Sequence, residues 1–325
     1  MSTVSDWKIS PAVQPKPGDY AFDLDRTLTS VVGLRAIIPG DAFTAEVLGT
    51  ERAGNGVLIR DDGLVLTIGY LITEAESVWI SLFDGRPVQG HVLAYDHETG
   101  FGLVQALGRV DVPALRLGAS TPTQIGDKVV VAGVGGRQRS VAARIIAKQE
   151  FAGSWEYVLD EAIFTAPAHP NWGGTALIGS AGELLGIGSL QLQQTRATGQ
   201  TENLNMIVPI DLLEPILDDL LAFGRPNRPP RPWLGIYATE IEEKIVIMRV
   251  ANRGPGQIVD LRPGDIILAV AGTEVSDLAD TFRRVWALGH AGVEVPLLMY
   301  RDGRTFEARL ASVERGRFFK TPSLH

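Results

Sequence analysis

The side chains of this chain that could carry chemistry are hydroxyls, imidazoles and carboxylates, because it contains no cysteine. The lack of cysteine excludes thiol nucleophiles, disulfides and cysteine-ligated metals. One short stretch brings together four residues of metal-ligating type: His91, Asp96, His97 and Glu98. They fall on a predicted turn and lack the helical histidine spacing of metal-binding motifs, so a solvated loop is favoured. No metal is predicted.

A glycine-rich run at residues 129–136, Val-Val-Val-Ala-Gly-Val-Gly-Gly, is similar to the start of a dinucleotide-binding loop. Its spacing is Gly-x-Gly-Gly, and a strand-like stretch at 140–147 follows where such a loop needs a helix. We therefore reject a dinucleotide site and predict no cofactor. Serine and histidine side chains remain the candidates for catalysis. Whether they can act together depends on the elements that position them.

The first two-thirds of the chain have the pattern of many short strands. The chain has 325 residues, of which 45% are hydrophobic and 21% charged, with 36 glycines and 19 prolines to make turns. Residues 1–20 are polar and predict an extended arm. From about 20 to 205, short apolar runs alternate with turn signals such as the Asp-Gly between the halves of 57–67. This alternation predicts a closed or sandwiched all-β domain.

The pattern changes after residue 209. Apolar residues at three- and four-residue steps predict an amphipathic helix over 210–223, ended by Gly224. A stiff linker at 225–232 follows, rich in proline and arginine. It separates a barrel region at 21–224 from a second module at 233–313, and a tail occupies 314–325. The second module has predicted strands and one helix at 277–288, which indicates a small α+β domain.

Six stretches of the barrel region, in order, resemble the HtrA family of trypsin-fold serine proteases. Among them are Gly-Asn-Gly-Val-Leu-Ile at 54–59, Leu-Thr-Ile-Gly-Tyr-Leu-Ile at 66–72 and Asp-His-Glu-Thr-Gly-Phe-Gly-Leu-Val at 96–104. The others are 117–120 together with 125–129, then 165–177 and 182–187. The resemblance implies a mainly β protein with a trypsin-like double β-barrel, followed by a small α+β PDZ domain.

The register of this resemblance assigns each position of a serine–histidine–aspartate triad. Tyr70 stands at the histidine position, Gly100 at the aspartate position and Gly173 at the serine position. Glycine offers no nucleophile, and tyrosine, with a pKa near 10, is a poor base at neutral pH. Asn171 and Trp172 also alter the oxyanion loop. Losing the serine or histidine of such a triad costs on the order of a million-fold in turnover.

Other hydroxyl and imidazole groups of the barrel region are read as structural. They are Thr175, Ser180, Ser189, His91, His97 and His169. We therefore predict that the chain is not an enzyme but a pseudoprotease that binds peptides or proteins as an adaptor, regulator or holdase. One alternative is an active serine endopeptidase of protein quality control with an unrecognised nucleophile. Another is a regulatory subunit that mixes with active paralogues.

The second module resembles a PDZ domain. Its Trp-Leu-Gly-Ile at 233–236 is similar to the carboxylate-binding loop, and Leu-Arg-Pro-Gly-Asp-Ile-Ile at 261–267 to the Gly-Asp segment of that fold. Backbone N–H groups of such a loop hold a terminal carboxylate, and the following strand edge pairs with an extended peptide. The implied peptide-binding residues are Trp233, Leu234, Gly235, Ile236, Phe282 and Val285. A closed groove that serves only for packing is the alternative.

The predicted partners are protein C-termini or unfolded polypeptide. The resemblance also leaves open a homotrimer, assembled through Trp7, Tyr20 and Phe22, against a monomer or dimer. A formal net charge of −8 argues against nucleic acid and anionic membranes. No apolar run approaches the roughly 18 residues of a membrane span. No secretory signal is visible, so a cytoplasmic location is expected, or a periplasmic one if a leader has been removed.

Overall fold

A computed structural model describes residues 7–195, 199 and 201–320. These residues form two compact units. The first contains the described residues up to Gln149, then Glu161–Pro226 and Lys320, and the second contains Glu150–Asp160 and Asn227–Phe319. Residues 1–6 of the predicted arm and 321–325 of the predicted tail lie outside the described residues.

The first unit begins with a six-stranded closed barrel in which the strand order is β1-β2-β3-β6-β5-β4. The turn between β2 and β3 uses Gly63, whose φ of +91° suits glycine. Every residue of β3 is buried, as expected for a strand enclosed on both sides. The elements are α1 (Leu24–Leu28), β1 (Val31–Ile37), α2 (Ala45–Leu48), β2 (Glu51–Arg60), β3 (Leu64–Ile68), β4 (Ser77–Ser81), β5 (Pro87–Tyr95) and β6 (Phe101–Ala106).

A second closed barrel follows in the order β10-β11-β12-β9-β8-β7. Its core consists of branched aliphatic side chains such as Val131, Ile163 and Ile207, which have no exposed surface. The strands are β7 (Lys128–Ala132), β8 (Ser140–Gly153), β9 (Tyr157–Ala166), β10 (Ala176–Ile178), β11 (Leu184–Thr195) and β12 (Thr201–Pro209). The residues around the turn between β8 and β9, 150–160, belong to the second unit.

The helix predicted over 210–223 is shorter in the structure. A 3-10 turn covers Ile210–Leu212, and the α-helix, α3, covers only Leu217–Phe223. Pro215 explains the break, because proline has no N–H to donate and disfavours a helical conformation in the residue before it. The predicted stop is present, since Gly224 takes a left-handed conformation with φ +71°.

The second unit carries a sheet in the order β13-β14-β15-β17-β18, with β16 paired to β15. Helix α5 turns an apolar face with Phe282 and Val285 towards the core of this unit, and Asp277 caps its N-terminus by accepting from the N–H of Asp280. The elements are β13 (Ile236–Ile241), β14 (Lys244–Val250), α4 (Pro255–Ile258), β15 (Ile266–Val270), β16 (Thr273–Glu274), α5 (Leu278–Ala287), β17 (Glu294–Arg301) and β18 (Arg304–Ala311).

This architecture confirms the predicted mainly β fold with two barrels and a small α+β domain. Within the described residues, no helix is long and apolar enough to cross a membrane.

Candidate functional site

Two residues assigned to triad positions, Tyr70 and Gly173, meet in the first unit. Tyr70 lies in a 3-10 turn, Gly69–Leu71, directly after β3. Its hydroxyl donates to the carbonyl oxygen of Ser189 at 2.9 Å. A Cβ atom on Gly173 would lie 2.7 Å from that hydroxyl oxygen, closer than such contacts occur. The tyrosine hydroxyl thus fills the space that a side chain at residue 173 would need.

The third triad position, Gly100, contacts the same turn through its backbone. The N–H of Gly69 donates to the Gly100 carbonyl at 2.7 Å, and Gly100 takes a φ of +85°. A Cβ atom on Gly69 would lie 2.0 Å from Cδ2 of Tyr95, so an aromatic ring covers the face of this turn. The His97 ring packs against Tyr95 with centroids 4.2 Å apart. Tyr70, Gly100 and Gly173 provide no carboxylate, imidazole or aliphatic hydroxyl at this point.

Asn55 on β2 links three backbone segments around Gly173. Its side-chain amide donates to the carbonyls of Asn171 and Gly173, each at 3.1 Å, and its oxygen accepts from the Val134 N–H at 2.9 Å. The Asn55 N–H also donates to Gly173, at 2.8 Å. Asn55 is 4% exposed, so these bonds replace water that the buried groups have lost. The sequence analysis did not identify this residue.

The loop before Gly173 points its polar groups at its own neighbours. The N–H of Asn171 donates to Nδ1 of His169 at 3.1 Å, and Nε2 of His169 bonds the Arg139 carbonyl at 2.9 Å. His169 is fully buried, and burial lowers the pKa of its imidazole. The Trp172 carbonyl accepts from the Thr175 N–H and hydroxyl. The Asn171 N–H is therefore directed to His169, whereas an oxyanion site needs a donor aimed at substrate.

The remaining candidate residues are scattered. Ser180 lies exposed in the turn after β10, Ser189 is buried in β11, and His91 lies on β5 opposite Gln105. The Asp96 carboxylate accepts from the N–H and hydroxyl of Thr99 and so shapes its own turn. Among the described residues, no three side chains of histidine, aspartate or glutamate come together in a way that could hold a metal ion.

A second polar constellation lies in the second unit, at the loop resembling a PDZ carboxylate-binding loop. The N–H groups of three consecutive residues, Leu234, Gly235 and Ile236, converge on one oxygen of the Glu156 carboxylate at 2.8–3.1 Å. Leu234 also bonds the second oxygen at 3.0 Å. Gly235 has a φ of +71°, a conformation that favours glycine and helps successive N–H groups point to one side.

A strand edge and a buried apolar cluster lie beside this loop. Strand β13 lies at the edge of its sheet, and its Ala238 N–H donates to the carbonyl of Ser154 at 3.0 Å. Val158 belongs to the buried apolar cluster of the second unit. That cluster includes four of the six predicted peptide-binding residues, Leu234, Ile236, Phe282 and Val285. Trp233 is also buried, and its backbone forms an isolated antiparallel β-bridge with that of Val313.

The surroundings of Glu156 strongly change the pKa of its carboxyl group. Burial raises the pKa of its carboxyl group to about 7, although the three N–H donors and the charge of Arg315 oppose this rise. Arg315 lies close by and donates to the Trp155 carbonyl. Glu156 also takes a φ of +62°, which non-glycine residues rarely adopt. No local pattern in the sequence marks this residue, because its partners lie 78 to 80 positions away.

The aromatic residues considered for assembly make contacts within their own unit. Trp7 packs edge-on against His169, with ring centroids 5.6 Å apart, and the Arg139 guanidinium lies over its ring. Tyr20 and Phe22 contact each other at 5.4 Å, and Phe22 lies against Gly182.

Comparison with known families matches both units. Residues 54–187 match the family described as trypsin-like peptidase domain, and residues 232–311 match the PDZ domain family. These matches confirm the predicted resemblance to HtrA proteins and the predicted combination of domains.

Among curated relatives, the chain is 26% identical over 267 residues to a "probable periplasmic serine endoprotease DegP-like" of Pseudomonas fluorescens, covering 78% of this chain and 54% of the relative. It is 24% identical over 328 residues to "serine endoprotease DegS" of Salmonella typhimurium, covering 91% of this chain and 88% of that protein. The chain thus spans about half the length of the DegP-like relatives it matches.

Solved structures show the same fold. The structure described as "HtrA-type protease AlgW with tripeptide" is 21% identical, with a TM-score of 0.52, and the match covers 89% of this chain and 95% of that one. The serine endoprotease from Yersinia pestis is 23% identical, with a TM-score of 0.50 over 89% and 95%.

These comparisons correct two predictions. The prediction that the chain is not an enzyme is contradicted, because the relatives it matches are named serine endoproteases. The predicted cytoplasmic location is contradicted as well, because the DegP-like relatives are named periplasmic. The inference from Tyr70, Gly100 and Gly173 considered only the positions of one triad, and the inference on location considered only the first residues of the sequence.

Proposed function

Because this chain is a homologue of the HtrA-type serine proteases, with a trypsin-like peptidase domain followed by a PDZ domain, we propose that it acts on polypeptides in the periplasm. In this proposal the PDZ domain recognises the carboxyl terminus of an extended or unfolded polypeptide, and the barrel domain acts on the chain delivered to it. The reaction class of its relatives is serine endoproteolysis.

The observation that carries the recognition step is the loop at 234–236. Three consecutive backbone N–H groups converge on a carboxylate oxygen, which is the arrangement that binds a terminal carboxylate. The Glu156 carboxylate stands in for that terminus. Beside the loop, the N–H of Ala238 bonds a backbone carbonyl, as an added peptide strand would require.

Hydrolysis by this chain requires a nucleophile other than residue 173. Gly173 has no side chain, and the Thr175 hydroxyl donates to the Trp172 carbonyl. Burial raises the pKa of the Tyr70 hydroxyl above its usual range, so Tyr70 is neutral at physiological pH. A catalytic hydroxyl therefore has to be found by labelling.

Two measurements test the two parts of the proposal. Binding is measured by fluorescence anisotropy with peptides that end in a free carboxylate or in an amide, and only the free carboxylate is expected to bind. Hydrolysis is measured by digestion of labelled casein over many hours, next to fluorophosphonate labelling and an active HtrA-type protease as control.

Casein fragments together with a labelled residue would identify the nucleophile. Intact, unlabelled samples beside an active control would overturn the hydrolytic part and leave the recognition part standing. Equal binding of the carboxylate and amide peptides would overturn the recognition part.

The assembly of the chain is open to direct measurement, and we propose the trimer that the family resemblance implies. Analytical ultracentrifugation is expected to give three times the mass of 35.0 kDa. A monomer at micromolar concentration would overturn this part.

A further inference from the structure

The carboxylate-binding loop of the second unit is already occupied by the chain itself. The Glu156 carboxylate accepts from the N–H groups of Leu234, Gly235 and Ile236, and the residue is buried. A carboxylate that accepts three N–H bonds leaves no donor in this loop for a second carboxylate. An incoming carboxyl terminus therefore meets a filled site.

The same short segment also occupies the strand edge and the apolar floor of the groove. Ser154, two residues before Glu156, accepts from Ala238 on β13, and Val158, two residues after it, packs into the apolar cluster. A docked peptide would use these three features: the loop, the strand edge and the apolar pocket. Residues 154–158, which we call the internal ligand segment, use all three at once.

The backbone conformation at residue 156 indicates that the glutamate is kept there for its side chain. With φ at +62°, this site would suit glycine better than any residue with a Cβ. Glycine here would cost no strain, yet a glutamate is present and its carboxylate makes four contacts with the loop. Residue 153 also has no room for a side chain, because a Cβ atom there would lie 2.7 Å from the Trp155 ring that covers it.

The end of the groove beyond the internal ligand segment remains open. A cleft of about 290 Å³ lies there, lined by β13, the start of α5 and residues just before the segment. Its carboxylates come from Glu150, Glu240 and Asp277. This cleft could take the upstream residues of a peptide, and Glu240 and Asp277 favour a basic side chain there, whereas Glu150 is already paired with Arg283.

We propose that the internal ligand segment is an autoinhibitory occupant of the peptide site, with Glu156 mimicking a carboxyl terminus, and that external polypeptide termini bind only by displacing it. This inference rests on the proposed recognition of carboxyl termini. It adds that the site is closed at rest and that its apparent affinity is lowered by the population of the closed state.

The test compares the whole protein with three variants. Glu156→Gln keeps the shape but removes the charge, and Glu156→Gly removes the side chain while relaxing the left-handed backbone. Glu242→Gly is the matched control, because Glu242 is an exposed glutamate of the same unit that also has a positive φ, of 49°. The probe is a fluorescein-labelled hexapeptide that ends in a free valine carboxylate and carries one lysine upstream.

We expect Glu156→Gly to bind this probe at least about tenfold more tightly than the wild type, because no side-chain acceptor then competes for the N–H groups of the loop. Glu156→Gln should fall between them, and Glu242→Gly should match the wild type. Equal affinities of wild type and Glu156→Gly would overturn the autoinhibition while leaving recognition intact.

Amide hydrogen exchange at 234–236, measured without peptide, separates the two proposals. These amides are expected to be protected in the wild type and in Glu242→Gly, and to exchange faster in Glu156→Gly. Unchanged exchange in Glu156→Gly would show that Glu156 does not occupy the loop in solution, and would overturn the inference. Faster exchange without peptide binding by any variant would overturn recognition of carboxyl termini and keep Glu156 as the occupant.

Discussion

The Tyr70 hydroxyl lies 2.7 Å from the point where a Cβ atom on Gly173 would stand, and it is fixed there by its hydrogen bond to the Ser189 carbonyl. The two residues are thus matched, because a small residue at 173 is the condition for a tyrosine at 70. The next carbon of the ring, Cζ, would lie 3.6 Å from the same Cβ, an ordinary contact distance. The conflict therefore concerns the oxygen atom alone.

Gly173→Ala should destabilise the first unit by about 1–3 kcal/mol, the usual cost of overpacking. The same substitution in a Tyr70→Phe background should cost less than about 1 kcal/mol, since the oxygen is gone. Urea unfolding of the four proteins gives the coupling energy. Tyr70→Phe itself loses one hydrogen bond, about 1 kcal/mol. Identical costs of Gly173→Ala in both backgrounds would contradict the geometry.

Asn55 should be among the more sensitive polar residues of the first unit. Asn55→Ala removes the acceptor of the Val134 N–H and the side-chain donor to the carbonyls of Asn171 and Gly173, while the Gly173 carbonyl keeps its bond from the backbone N–H of residue 55. We expect a loss of about 2–3 kcal/mol in the free energy of unfolding. Asn203→Ala, on the exposed part of β12, is the control and should change stability by less than about 0.5 kcal/mol. Comparable urea midpoints for the two variants would count against this role.

Peptide binding should depend on pH through Glu156. Its pKa is about 7 when docked, against an ordinary value of 4.5, so the docked segment binds a proton that the released segment loses. The docked state is therefore favoured most at low pH, and this preference declines as pH rises from about 4.5 through 7. Arg315 is the charged group that acts on Glu156, and its charge lowers the pKa of that carboxyl group against the effect of burial.

The affinity of the free-carboxylate probe for wild-type protein should accordingly rise between pH 5 and 8, by roughly tenfold or more. Its own carboxyl terminus is ionised across this range. Anisotropy titrations at four pH values measure the effect, and Glu156→Gln should give a flat profile. A wild-type profile as flat as that of the variant would refute the link to Glu156.

The second unit contains a buried ion pair and an exposed one, and their contributions to stability can be compared. Asp265 is 1% exposed and accepts two bonds from Arg301 and one from the Arg262 N–H. Asp265→Asn places amide donors against the guanidinium and should cost about 2–4 kcal/mol. Glu294→Gln breaks an exposed pair with Arg309 and should cost less than about 1 kcal/mol.

Hydrogen exchange of the β14 and β15 amides reports on the stability of this unit. Asp265→Asn should accelerate it strongly, and Glu294→Gln should not. Similar exchange rates in both variants would mean that burial does not set the strength of the pair.

The sequence predicted the elements that rest on local pattern. The strand and hairpin signals around Gly63, the helix at α5 and the glycine stop at Gly224 are all present, because each depends on a few adjacent residues. The helix before Gly224 was predicted too long because the apolar spacing continued through Pro215, where the missing N–H interrupts it. The six similar stretches likewise sufficed for the family and the fold.

The site residues were predictable only in part. The carboxylate-binding role that the sequence suggests for the loop at 234–236 stays a prediction. The contact of Glu156 with this loop was not foreseen, because Glu156 follows no motif and meets the loop only in three dimensions. Asn55 was missed for the same reason, since its partners lie up to 118 residues away. The assignment of a non-enzyme followed from residue types at aligned positions, which say nothing about hydroxyls elsewhere.

Glu156 also differs from any external ligand in being covalently attached to the loop it occupies. Its local concentration is fixed by the chain that joins them and does not fall on dilution. A free carboxyl terminus therefore competes with an internal ligand whose local concentration is the same at every concentration of the protein. The protein would respond above a threshold concentration of exposed termini, and that threshold would be set by residues 154–158 rather than by its own abundance.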